Sequence, residues 1–225
     1  MSNRWKTWLP FAAVCGTTLI AASGSAEGAR EGAREKNAAA RVEEPAAPRA
    51  EDRSAQDQEI LRIANDLASE AGAVMERWLA SDALKEERLL SRLYYPIRNT
   101  NPVKYNTDYD ALADRDLQPL LDKHATRNAA IQYTVVTDLN GYVPTHNRQF
   151  SQPLTGNRAV DLVNNRSKRI FGDTVGFNAS RNETPFLIQP YSRDTSENLF
   201  DLSVPLRIRG KHFGCVRIGY KRVAP

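Results

Sequence analysis

Cysteine is nearly missing from this chain: two residues, Cys15 and Cys215, occur in 225. That excludes a disulfide framework and a cysteine-rich metal site, so the fold must rest on packing. Net charge is scarce as well, with 31 Lys and Arg against 27 Asp and Glu, giving +4. The cations alternate with acids along most of the chain instead of gathering in one stripe, which argues against a nucleic-acid-binding protein. There is no Gly-x-Ser-x-Gly elbow, no glycine-rich phosphate loop and no Cys-x-x-Cys-His haem attachment. The three histidines, His124, His146 and His212, stand apart without a two-histidine spacing on one helix face. These gaps weigh against hydrolytic catalysis and against metal binding, which needs three or four convergent ligands. No catalytic residue is assigned, and the reading is non-enzymatic.

Long apolar runs are also lacking, with one exception near the N-terminus. Arg4 and Lys6, with no acid nearby, precede an apolar stretch from Thr7 to Ala22 and the small residues Ser23, Gly24, Ser25 and Ala26. This is the order of a secretory signal. At about 16 residues the stretch falls short of the roughly 20 that span a bilayer as a helix, and Pro10 interrupts it. Residues 1–26 are therefore expected to be a signal peptide that directs the chain to the periplasm. An uncleaved signal anchoring it to the inner membrane is the alternative. Cleavage would leave Cys215 as the lone thiol among Phe213, Gly214, Val216 and Ile218, the setting of a small buried hydrophobe.

Residues 27–55 are rich in Ala, Glu and Arg, with the near-repeat Glu27-Gly28-Ala29-Arg30 and Glu31-Gly32-Ala33-Arg34. Such a segment buries too little to offset its ordering entropy and reads as a disordered linker. Periodicity then begins with Ile60, Ala64, Leu67, Ala71, Val74 and Trp78, one apolar stripe on a helix from about Gln56 to Leu90. The stripe suits packing on its own domain, or a homodimer through the same helix of a second copy. A second helical region is expected from about Asp108 to Lys123, kinked or divided at Pro119.

Strands follow at Ile131 to Thr137 and Tyr142 to Pro144, joined through Asp138-Leu139-Asn140-Gly141 as a hairpin turn. A short helix is expected at Arg158 to Asn164. Three more strands are expected at Pro185 to Tyr191, Leu199 to Ile208 and His212 to Tyr220, the last two flanking a tight turn at Arg209-Gly210-Lys211. Leu202, Val204, Leu206 and Ile208 share one face, and Val216, Ile218 and Tyr220 share another opposite Cys215 and Arg217. Residues 56–225 thus form one α+β domain, a long N-terminal helix packed on a mixed, mainly antiparallel sheet.

The stretch from Val135 to Arg148 resembles the strand, turn and strand of extracytoplasmic PAS-like domains known as Cache sensors. The blocks Asn165 to Asp173, Arg181 to Asp194 and Arg209 to Gly214 are similar to the sensor region of a subgroup of bacterial methyl-accepting chemotaxis proteins. The resemblance covers roughly Tyr94 to Tyr220. It implies a PAS/Cache-like sheet that curves around a pocket, with the connection between its second and third strands as a lid. Because the sequence ends soon after Tyr220, the expectation is a free-standing sensory module or the ligand-binding half of a split receptor, working with a membrane receptor or kinase partner.

The lid would run from Thr145 to Thr184, about 40 residues, a length that in a compact domain is usually functional. It carries Arg148, Arg158, Arg166, Lys168, Arg169 and Arg181 against Asp161, Asp173 and Glu183. Guanidinium groups in excess over a pocket suit an anionic small-molecule ligand. Pairing with Asp110, Asp114 or Asp116 on the second helical region is the competing use of these arginines. Tyr142, Tyr191 and Arg193 are the expected pocket wall, with Arg169 or Arg181 facing the ligand and His146 and Arg148 at the mouth. No cofactor is assigned. Two other functions fit the sequence: an interaction module docking through its long helix over an empty, vestigial pocket, and a haem-binding redox or gas sensor using His146.

Overall fold

A computed structural model describes residues 54–222. The expected signal peptide, residues 1–26, and the expected linker up to residue 53 lie outside the described residues. Helix α1, Ala55–Ala80, starts where Ser54 accepts the backbone N–H of Asp57 in its side chain, an N-cap. Every residue of the predicted stripe is buried, and Ile63, Met75 and Leu79 widen it. The helix stops ten residues earlier than the periodicity predicts. Ser81 Oγ turns back to the carbonyl of Arg77 at 2.8 Å, and Asp82 takes a positive φ of 59°. A separate short turn of helix, α2, Glu86–Leu89, follows.

A two-stranded antiparallel hairpin comes next, β1, Tyr95–Ile97, with β2, Lys104–Asn106. The second helical region is divided, as Pro119 predicts. Its parts are α3, Asp110–Leu112, a π-helical turn Ala113–Leu117, and α4, Gln118–Ala125, with Pro119 in the first turn where no N–H is needed.

Strand β3, Ile131–Asp138, is buried on both faces. At Asp138 the chain turns, with Gly141 at φ 76°; a Cβ there would lie 2.5 Å from the carbonyl oxygen of Phe171. Beyond the turn the structure departs from the predicted hairpin. β4, Tyr142–Val143, does not pair with β3 but with β5, Arg169–Ile170, in a two-stranded antiparallel sheet that ties the chain before the lid to the lid itself. The remaining lid elements are a 3-10 turn Arg148–Phe150, α5, Arg158–Asn164, and α6, Thr174–Arg181.

The main sheet is completed by β6, Leu187–Ser192, β7, Asn198–Ile208, and β8, Lys211–Tyr220. Its order is β3-β8-β7-β6 and every pairing is antiparallel, so no parallel pair makes it mixed. The sheet separates two apolar clusters. On one face Val136, Leu202, Val204, Leu206, Val216 and Ile218 meet α1 and α4 in the larger core. On the other, Tyr133, Val135, Tyr191 and Leu199 form a smaller cluster with Val143, Phe150, Phe171 and Val175 beneath the lid. Helix α6 closes that side, where Ser180 Oγ lies 3.0 Å from Thr137 Oγ1. The architecture is α+β, with the long helix behind an antiparallel sheet and the lid in front. No helix among the described residues is long and apolar enough to cross a membrane.

Candidate functional site

A cavity lies between the sheet and the lid, lined by Tyr133, Val135, Val143, His146, Arg166, Phe171, Tyr191, Arg193 and Arg217. Strand alternation builds its floor. Tyr133 and Val135 on β3 and Arg217 on β8 project from the face opposite α1, together with Asp201 on β7. Gly219 permits this arrangement, because a Cβ there would lie 2.0 Å from the Tyr133 ring. The space free of atoms is ≈ 280 Å³, but the room for water-molecule centres is ≈ 20 Å³. That is about one or two waters. A larger guest must push the lid outward.

The electrostatics are one-sided. Arg166, Arg169, Arg193 and Arg217 are each 7% exposed or less, and burial of a guanidinium demands a partner. Arg217 Nη2 lies 2.9 Å from Asp201 Oδ2, and Asp201 also accepts the Tyr133 hydroxyl at 2.5 Å. Arg193 Nη1 reaches Glu197 at 2.5 Å. Arg166 and Arg169 share Asp194, each at 2.8 Å. Four buried guanidinium groups therefore meet three carboxylates. The aromatic rings help hold the excess: Arg166 and Arg169 lie over Phe171 at 5.1 and 4.7 Å, Arg193 over Phe150 at 5.0 Å, and Arg217 over Tyr191 at 5.5 Å.

His146 sits in this positive field. Burial, then Arg166 and Arg193, hold its pKa well below the ordinary imidazole value, so it is neutral. Its Nδ1 accepts the backbone N–H of Asn147 at 2.8 Å, which puts the proton on Nε2. Nε2 is thus a hydrogen-bond donor beside the cavity. Ligation of haem iron or a metal through Nε2 would need the other tautomer and would cost the Asn147 bond, so the ring as placed does not fit that use. Among the described residues no group of three or more His, Cys, Asp or Glu is placed to hold a metal ion.

Of the residues singled out in the sequence, the structure brings His146, Tyr191 and Arg193 to the cavity wall, with Arg169 beside it through Phe171 and Asp194. Three others stand elsewhere. Tyr142 is fully buried, but it packs in the larger core and its hydroxyl donates to Asp110 Oδ1 at 2.9 Å, because pairing with β5 turns its side chain away from the cavity. Arg148 is 74% exposed, 3.6 Å from Asp122. Arg181 is at the surface, over Phe177 at 4.9 Å and donating to the carbonyl of Leu139. The competing use of the lid cations is realised by Lys168, 2.7 Å from Asp114, while the arginines choose Asp194 and Asp122.

Arg166 was visible in the lid but indistinguishable there from its neighbours, and Arg217 was not singled out. A signal for Arg217 existed. On adjacent strands Asp201 and Arg217 share the face opposite the apolar one, and a charged pair within two strands covered on both sides marks a buried ion pair. Cys215 shares that face. It is fully buried, with burial pushing its thiol up to about 12, the opposite of a reactive thiolate.

The described residues thus form a small α+β domain with an arginine-lined cavity under a lid. Comparison with solved structures finds two sensory domains of one chemoreceptor among its matches. One is the ligand-binding domain of the Campylobacter jejuni chemoreceptor Tlp3 in complex with L-valine, at 13% identity and a TM-score of 0.33, covering 73% of this chain and 61% of that one. Another is the sensory domain of the same chemoreceptor (CcmL), at 14% identity and a TM-score of 0.32, covering 73% of this chain and 62% of that one. This chain therefore spans about three fifths of the solved domains it matches. No protein-family model and no curated protein matches the sequence.

Proposed function

We propose that the chain is a periplasmic sensory module of the chemotaxis-receptor input type, which binds a small anionic molecule under its lid and passes occupancy to a membrane receptor or kinase partner through α1. The observation that carries this reading is the excess of buried guanidinium over carboxylate around one cavity. A protein has no folding reason to desolvate a fourth arginine there, since buried charges cost stability unless paired. An entering carboxylate would engage these guanidinium groups through bidentate contacts, and His146 Nε2 would add a neutral donor. Binding is favoured over catalysis by the same details. The lone pair of His146 is already engaged, so it is no general base, and each carboxylate at the site is tied to arginine.

The lid arginines and α1 flank opposite faces of one sheet, so a lid that moves to admit a guest changes what the sheet presents to α1. The resulting shift between two arrangements is limited by the ligand's differential affinity for them. The rival reading, an interaction module with a vestigial pocket, draws support from the small free space. A thermal-shift screen of small mono- and dicarboxylates separates the two. A binding carboxylate at about 100 times its Kd stabilises by about 2.7 kcal/mol, which for a domain of this size raises Tm by roughly 5–11 °C. Arg169→Lys should lose most of that rise by losing the planar fork. A screen in which no carboxylate raises Tm would favour the interaction module.

A further inference from the structure

The turn between β6 and β7 carries two of the three carboxylates that pair with the buried arginines, Asp194 and Glu197. It is closed on itself, with Arg193 N–H donating to Glu197 O at 2.9 Å, Ser196 N–H to Arg193 O at 2.8 Å, and Ser196 at φ 65°. From this turn Asp194 reaches the lid. Its Oδ1 accepts from Arg166 Nη2 and its Oδ2 from Arg169 Nη2, both at 2.8 Å. One carboxylate is thus held between two guanidinium groups that share the Phe171 ring.

Three features set this cluster apart from an ordinary ion pair. The side chains of Arg166 and Arg169 are 3% and 9% exposed, whereas that of Asp194 is 35% exposed, so the acid can leave toward solvent and the arginines cannot. Two cations share one anion. Arg169 Nη1 is buried without any hydrogen-bond partner, a donor left over after Asp194 is bound.

We propose that the Arg166–Arg169 pair on Phe171 is the subsite for the ligand's anionic group, and that Asp194 is an internal surrogate that occupies it. A small carboxylate or similar oxyanion would take the two guanidinium groups, use the spare Nη1 donor, and release Asp194 to solvent. The same exchange cuts the tie between the lid and the β6–β7 turn, which lets the cavity enlarge as it fills. The affinity of the unaltered chain is accordingly lowered by the cost of displacing its own carboxylate. This inference rests on the reading of the cavity as an anion site.

The test uses the full chain with malonate and sulfate as probes, by calorimetric titration and by amide hydrogen exchange across the lid. Asp194→Asn removes the competing charge and keeps the shape. It should bind at least one probe about tenfold or more tightly than the unaltered chain and speed exchange in α5 and α6. Arg169→Gln in the same background should abolish the gain. Asp194→Ser serves if the asparagine variant folds poorly. If the unaltered chain binds malonate but neither Asp194 variant binds either probe more tightly, the surrogate role is overturned while the anion site stands. If no variant and not the unaltered chain binds any carboxylate, the anion site falls and this inference with it.

Discussion

Asp201→Asn should be the most costly conservative change in the domain. Asp201 is fully buried on β7, and Arg217, 2% exposed, faces it from β8. The arginine gives Asp201 contacts of 3.1 and 3.2 Å from Nε and one of 2.9 Å from Nη2, and the Tyr133 hydroxyl adds a fourth at 2.5 Å. Asparagine keeps the volume but leaves the guanidinium charge buried without its counter-charge. Removing one partner of such a pair costs about 3–5 kcal/mol, against a total stability of roughly 5–15 kcal/mol for a typical protein. With a urea slope of about 2 kcal/mol/M, the unfolding midpoint should drop by roughly 1.5–2.5 M. Trp78, buried on α1, reports the transition by its fluorescence. The double variant Asp201→Asn with Arg217→Met removes both charges and should recover much of the loss, since an apolar replacement of a buried pair is often neutral. A single variant within about 1 kcal/mol of the unaltered protein, or a double variant no better than the single, would refute the claim that this pair organises the cavity floor.

Three further outcomes follow from single side chains. Burial, then the charges of Arg169 and Lys168, lower the Lys104 pKa to about 7, and its Nζ donates to the carbonyls of Asn165 and Ser167. Between about pH 7 and 10 the unfolded chain holds a proton that the native state does not, so stability should rise with pH across that window and level off at its lowest below about 7. Allowing for solvent screening the rise is roughly 1–2 kcal/mol, and Lys104→Met should flatten it in urea titrations run at each pH; an equally steep rise in the variant would contradict the assignment. The Cys215 thiol should react with a thiol reagent more than about a thousandfold more slowly in the native protein than in urea, and rapid native labelling would show the strand to be open. Gly219→Ala should cost about 1–3 kcal/mol by overpacking, because the new methyl group meets the Tyr133 ring; unchanged thermal stability would mean the ring has room to move.

Much of the frame was legible because it is local. The α1 stripe, the break at Pro119, the helix from Arg158 to Asn164 and the two long strands about Arg209-Gly210-Lys211 follow from periodicity and turn chemistry alone. The departures come from contacts distant in sequence or from covering on both sides. Nothing near Tyr142 announces that it pairs with Ile170 and not with β3, yet that pairing turns its ring into the core. Helix α6 was missed because Thr174, Val175, Gly176 and Asn178 are poor helix formers, although Asp173 caps it through the N–H of Gly176 at 2.9 Å. The site was legible in kind, as arginines over an aromatic pocket. It was not legible in membership, because Arg148, Arg166, Arg169 and Arg181 differ only in which acids the fold brings within reach.

The central claim is that the cavity under the lid receives an anion. A crystal structure of the chain grown with the carboxylate that most raises its Tm tests this most directly. The account predicts the carboxylate bonded to buried arginine side chains between β8 and the lid, in a cavity larger than ≈ 280 Å³. A carboxylate bound elsewhere on the surface, with Arg166, Arg169, Arg193 and Arg217 still holding only their own acids, would contradict it.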